Sequence, residues 1–197
     1  KGAWLQAVLT EIDKTKNYGQ TDFGNNKKVV LEFSGPNTNK PQHIGHLRNN
    51  ILGQALVNIY NAAGFKTVPV NIINDRGIHI MKSMLAWQKW GNNETPDSSG
   101  IKGDHLVGKY YVQFGQALKK EEDEYYSKNN IDLAKLDNLA KRKTEDEFIA
   151  QSPLMNETRD MLKKWEAGDK EIKKLWQTMN SWVYDGYKIT YDRLGIK

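Results

Sequence analysis

The 197-residue chain contains no cysteine, which excludes disulfides, iron–sulfur clusters and thiolate zinc sites and fits a reducing compartment. No stretch approaches the roughly 20 continuous apolar residues that a membrane helix needs. The N-terminus also lacks a basic-then-apolar leader, so the chain reads as a cytoplasmic protein with no membrane partner. Charge of one sign is in short supply as well. The 29 basic residues exceed the 24 acidic ones by only +5, a weak bias towards phosphate-bearing partners. Histidine is scarce, with four in the chain, and without thiols these cannot belong to a Cys/His metal knot. The first residue is Lys1, not methionine, and Lys197 follows a helical pattern with no stop signal. We therefore expect a piece of a longer protein.

What is present has a clear order. Trp4, Leu5, Val8, Leu9 and Ile12 recur at helical spacing before a polar loop that ends near residue 28. "VVLEFS", 29–34, is β-rich and bounded by Gly35-Pro36, and its unbroken apolar run predicts a strand buried on both faces. From His46 the periodicity becomes helical: Leu47, Ile51, Leu52, Ala55, Leu56, Ile59, Tyr60 and Ala63 form one apolar face, and Gly64 ends the helix. A second strand follows over 66–75, with Pro69 arguing for an edge or a bulge, and Gly77 opens another helix. Strand, helix, strand, helix predicts a parallel α/β sheet, and two strands are too few to stand alone.

The rest is helical. A polar linker, 91–104, ends in Asp104, which is placed to cap a helix carrying Tyr110, Tyr111 and Phe114. Ser152-Pro153 reads as a cap with proline at the first helical position, and Gly168-Asp169 as a helix stop followed by a start. The tyrosines and tryptophans, including Tyr110, Tyr111, Trp165, Trp176, Trp182, Tyr187 and Tyr191, share helical spacing with aliphatic residues. They read as core rather than as an RNA-stacking surface.

The chemistry concentrates in "EFSGPNTNKPQHIGHLRNN", 32–50, which holds two of the four histidines. The C-terminal end of a parallel strand, where it turns into a helix, is where open α/β sheets bind nucleotides, because free N–H groups and the helix dipole favour an anion there. Gly45 lets a flat ring approach the backbone. His43 and His46, three apart, can stabilise charge building on an α-phosphate as pyrophosphate leaves. The bland alternative, a capping or surface histidine, suits one of them better than both.

His43-Ile44-Gly45-His46 is also the signature tetrapeptide of class I aminoacyl-tRNA synthetases, and the longer string "EFSGPNTNKPQHIGHLRNNILG" resembles the arginyl-tRNA synthetase form of that motif. "INDRGIHI" and "ITYDRLGIK" are similar to later segments of the same family. The fold this implies is α/β: a partial class I (Rossmann-like, HUP-type) parallel nucleotide-binding sheet with a largely helical insertion. It implies a first catalytic half over 1–90, a helical connective insertion over 91–185 and a return to the catalytic core over 186–197. The implied activity is that of a ligase of protein biosynthesis, in which ATP with Mg2+ activates L-arginine to arginyl-adenylate and the acyl group passes to tRNA(Arg).

The same resemblance implies roles residue by residue. His43, Gly45 and His46 bind ATP, with Lys40 beside them against its phosphates, so that His43, His46 and Lys40 form the catalytic set. Glu32, Ser34 and Asn37 bind arginine; a carboxylate in fork geometry suits a guanidinium, and a charge in a buried strand would demand such a partner. Asp75 and His79 are candidates for the same pocket. No dedicated metal cage is visible in the sequence. "IMKSM", 80–84, superficially resembles the second class I signature, but it lies inside an amphipathic helix and reads as core. His105 reads as a neighbour of a helix cap. The chain alone is expected to bind ATP or arginine weakly and not to turn over. Another ligase or nucleotidylyltransferase with the same tetrapeptide, and a non-catalytic RNA-binding fragment, remain as alternatives.

Overall fold

The computed structural model describes residues 2–196, which fall into two compact units. Unit 1 holds the residues up to Gly35, Ile44–Ile72 and the end of the chain from Leu194; unit 2 holds Pro36–His43 and Ile73–Arg193.

In unit 1, helix α1 (Gly2–Lys14) is followed by strand β1 (Lys28–Glu32), helix α2 (Ile44–Ala62) and strand β2 (Lys66–Val70). The two strands pair in parallel, with Lys28 opposite Lys66 and Glu32 opposite Val70, as the strand–helix–strand pattern requires. Gly64 ends α2 with φ 83°, a left-handed conformation that glycine adopts without a Cβ clash. The loop before β1 ties back to this turn through Gly24 N–H to Ala63 O (2.7 Å) and Asn26 N–H to Gly64 O (2.9 Å).

Two expectations for unit 1 are overturned. β1 is not buried on both faces: its residues alternate exposed and half-buried, and Val30 is 65% exposed. Among the described residues this unit's sheet has two strands, which leaves much of each strand open. The buried face of α2 is likewise not the apolar one. Asn50, Gly53, Gln54 and Val57 are inside, while Ile51, Leu52, Leu56 and Ile59 are exposed. The reason is steric: a Cβ on Gly53 would lie 2.1 Å from Cγ of Phe33. The helix therefore meets the end of β1 along the stripe where it has no side chain.

Unit 2 contains helices α3 (Ile78–Trp90), α4 (Pro96–Ser99), α5 (Gly103–Lys128), α6 (Asn138–Gln151), α7 (Pro153–Glu166) and α8 (Lys170–Leu194), with a single 3-10 turn at Leu133–Lys135. Its core joins Met81 and Met84 of α3, Leu106, Val107 and Phe114 of α5, Leu154 and Met161 of α7, and Met179, Val183 and Tyr187 of α8. The two methionines of "IMKSM" are fully buried, as the helical reading of that string expects. Ser152 accepts from Met155 N–H at the start of α7 (3.1 Å), and Asp169 accepts from Ile172 N–H at the start of α8 (3.0 Å). These caps satisfy donors that a helix start leaves without intrahelical partners.

Asp104 does not cap α5. It sits inside the first turn, 1% exposed, and Lys102 Nζ lies 3.1 Å from its Oδ2. The carboxylate is drawn inward because Gly186 of α8 has no side chain to exclude it: a Cβ there would lie 2.4 Å from Asp104 Oδ1. α8 runs through residues 185 and 186 without a break.

Candidate active site

Unit 1 supplies a strand end and a helix start. Glu32 is the last residue of β1 and is exposed, so the charge does not carry the burial penalty that the strand pattern implies. Ser34 and Gly35 then take φ 79° and 64° in succession, turning the chain sharply at the strand's C-terminal end. A left-handed serine costs about 1 kcal/mol or more and persists only where its surroundings fix it. Here Ser34 is 9% exposed, Asn49 Nδ2 donates to its carbonyl (3.3 Å), and Gly35 N–H donates to Asn71 Oδ1 (2.9 Å). α2 opens at Ile44, which places Gly45 and His46 in its first turn. The first-turn N–H groups of a helix point outward along a dipole that favours an anion.

Unit 2 supplies two loops. The first, Pro36–His43, is held along its length. Asn37 and Asn74 form a parallel bridge, reinforced by Thr38 N–H to Asn74 O and Asn74 N–H to Pro36 O, both 3.1 Å. Asn74 Nδ2 also donates to Asn37 Oδ1 (2.9 Å). Pro41 packs so closely on α5 that a Cβ on Gly108 would lie 2.5 Å from its Cδ. Thr38 and Asn39 are buried, and Thr38 Oγ1 and Asn39 Oδ1 have no protein partner. Lys40 is half-buried, and His43 is the exposed last residue before α2.

The second loop carries Asp75. Its carbonyl accepts from Trp176 Nε1 (2.7 Å) and its Oδ2 accepts from the Tyr184 hydroxyl (3.0 Å). Burial, then the Asp75 carboxylate, pushes the Tyr184 phenol up to about 12, so it remains a donor at neutral pH. His79, in the first turn of α3, has Nδ1 3.1 Å from the Tyr111 hydroxyl. Its pKa is lowered, first by burial and then by the Lys82 and Lys40 charges, which favours the neutral ring. Asn37, Lys40, Asp75 and His79 thus belong to one unit. Glu32, Ser34, Gly45 and His46 belong to the other, and His43 stands at the point where the chain passes between them.

The sequence reading gave no role here to Asn74, Trp176, Tyr184, Tyr187 or Tyr191. A signal did exist: Tyr184, Tyr187 and Tyr191 repeat at spacings of three and four, which aligns three hydroxyls along one face of α8. His105 is exposed and takes no part in these contacts. Among the described residues no group of three His, Asp or Glu side chains is arranged to hold a metal ion, and no helix is long and apolar enough to cross a membrane.

Residues 7–197 match the family model described as tRNA synthetases class I (R), catalytic domain. Among curated proteins, the arginine–tRNA ligase of Bacteroides fragilis (strain YCH46) is 53% identical over 194 residues, which is 98% of this chain and 30% of that protein. The arginine–tRNA ligase of Amoebophilus asiaticus (strain 5a2) is 49% identical over 193 residues, with the same 98% and 30% coverage. The chain therefore spans about 30% of the length of these relatives. The solved arginyl-tRNA synthetase of Thermus thermophilus is similar in fold, with a TM-score of 0.53 and 24% identity over 91% of this chain and 24% of that one. It supports the partial Rossmann-like α/β arrangement that the parallel pair and its helices describe. Matched over nearly its whole length, the chain belongs to the class I tRNA synthetase (R) catalytic-domain family.

Proposed function

We propose that this chain forms part of an enzyme that activates arginine with ATP and transfers it to tRNA(Arg). The observation that carries this reading lies in unit 1, where a strand ends on an exposed carboxylate, Glu32, and a helix opens with Gly45 and His46 in its first turn. A carboxylate recognises a guanidinium through paired hydrogen bonds, and a helix N-terminus recognises phosphate.

In the first step an oxygen of the arginine carboxylate attacks the ATP α-phosphorus, the bond to the bridging oxygen of the β-phosphate breaks, and pyrophosphate leaves. In the second step a terminal ribose hydroxyl of the tRNA attacks the acyl carbon of the mixed anhydride and AMP leaves. In this reading His43, His46 and Lys40 stabilise the charge that builds during the first step. Glu32, Ser34 and Asn37 hold arginine, and Asp75 and His79 complete its pocket. Mg2+ enters with ATP as part of the substrate, so no step is assigned to a metal held by the protein.

The test is exchange of labelled pyrophosphate into ATP by the full-length protein, with and without tRNA(Arg), comparing arginine with lysine and cysteine. Exchange that requires arginine supports the reading; exchange driven by another amino acid, or by none, refutes it. Glu32→Gln should raise the KM for arginine about 100-fold or more, because a charged partner is replaced by a neutral one. The 197-residue chain alone should show no turnover in the same assay.

A further inference from the structure

We propose that Tyr187 is a positioning residue whose hydroxyl sets the conformation of the 36–43 loop, and through it the places of Asn37 and Lys40; the proposal rests on the arginine-activation reading above. The Tyr187 hydroxyl oxygen lies 2.7 Å from the carbonyl oxygen of Asn37 and 2.7 Å from that of Lys40. One O–H is shared between two acceptors that flank Thr38 and Asn39, so a single atom closes the turn of the loop.

The hydroxyl can act this way because it is held from behind. The Tyr187 ring is 2% exposed within the unit 2 core. Its height on α8 is fixed by two contacts of that helix with α5 that leave no room for a side chain: a Cβ on Gly186 would lie 2.4 Å from Asp104 Oδ1, and one on Gly103 would lie 2.0 Å from the Trp182 carbonyl. Burial, then the charge of Asp104, raises the Tyr187 phenol well above its ordinary value, so it stays a donor across the working pH range. Gln42 Nε2 donates to the Tyr191 hydroxyl (3.1 Å) one turn further along the same helix. The loop thus takes its shape from a buried helix, as a site needs when residues must be held to a fraction of an ångström.

The experiment uses the full-length protein with Tyr187→Phe, which keeps the buried ring and removes only the hydroxyl. Tyr126→Phe is the control, since that tyrosine is also buried and donates to Glu122 Oε1 (2.7 Å) outside the loop. Loss of one shared hydrogen bond should speed hydrogen exchange of the 36–43 amides about 10-fold. In pyrophosphate exchange the KM values for arginine and ATP should both rise several-fold, with the melting temperature within about 2 °C of wild type, and Tyr126→Phe should move neither. Loop amides that exchange at the wild-type rate in Tyr187→Phe would overturn the proposal. So would unchanged KM values accompanied by a lower melting temperature, the result of a purely structural role. If wild-type protein shows no arginine-dependent exchange, the activation reading fails, and amide exchange still decides whether the hydroxyl holds the loop.

Discussion

The two units treat the same kind of side chain in opposite ways. In unit 2 Met81, Met84, Leu106, Phe114 and Val183 are each 1% exposed or less, whereas in unit 1 Trp4, Val30, Ile59 and Ile72 are all more than 60% exposed. Both sets come from segments with regular apolar spacing. Periodicity reports that a helix or strand has an apolar side; it does not report what that side meets. In unit 2 several helices surround one another and most of the apolar stripes are answered, with Val112 and Leu139 among the exceptions. In unit 1 one helix and two strands meet around Phe33 and Val57, and most of the apolar surface stays open.

The strongest attack on this contrast is a matched pair of truncations. Phe114→Ala in the unit 2 core should cost about 3–5 kcal/mol, the transfer term plus the cavity left behind. Ile59→Ala on the open face of α2 should change stability by no more than about 0.5 kcal/mol. Urea unfolding of the chain followed by circular dichroism measures both, and equal costs would erase the distinction between the units.

A glycine pair inverts the comparison and so sharpens it. Gly53 is in the sparsely buried unit, yet its substitution by alanine places a Cβ 2.1 Å from the Phe33 ring and should cost about 1–3 kcal/mol through overpacking. Gly115 is in the densely packed unit, but nothing lies within 4 Å of the Cβ it would gain. Gly115→Ala should therefore stabilise α5 by about 0.5–1 kcal/mol, the helix-propensity difference. The same denaturation assay reads both. A loss at Gly115 would mean that packing in unit 2 reaches further out than its core.

This pair also marks how far the fold could be read in advance. The order of elements, the parallel pairing, the stop at Gly64 and the caps at Ser152 and Asp169 were legible because each depends on local backbone chemistry. The buried side of α2 was not, because it is chosen by Phe33, twenty residues away from Gly53 in the chain. The spacing of His43, Gly45 and His46, and the strand ending at Glu32, were legible as a strand-to-helix junction. The left-handed Ser34 was not, since a serine before glycine and proline carries no signal for φ 79°. The grip of α8 was hidden for a different reason: Trp176, Tyr187 and Tyr191 do pack as apolar residues, and their polar ends, with that of the exposed Tyr184, bond to loops more than a hundred residues earlier in sequence.

The smallest expected effect concerns His79, where the packed unit meets water. The ring is exposed, yet its pKa is lowered from 6.5, first by burial and then by Lys82 and Lys40. A lowered histidine pKa means that the unfolded chain takes up a proton more readily than the folded one. The contribution is absent well above pH 6.5, and stability falls as pH drops through the unfolded value. His79→Gln should therefore narrow the difference in melting temperature between pH 7.5 and pH 5.5. The sharper measurement is a proton NMR titration of the His79 ring in Lys40→Gln. Removing that charge should move the titration upward towards the ordinary value while leaving the Lys82 contribution in place. A titration that does not move would mean that Lys40 is not electrically close to His79, and the contact between the 36–43 loop and the start of α3 would have to be redrawn.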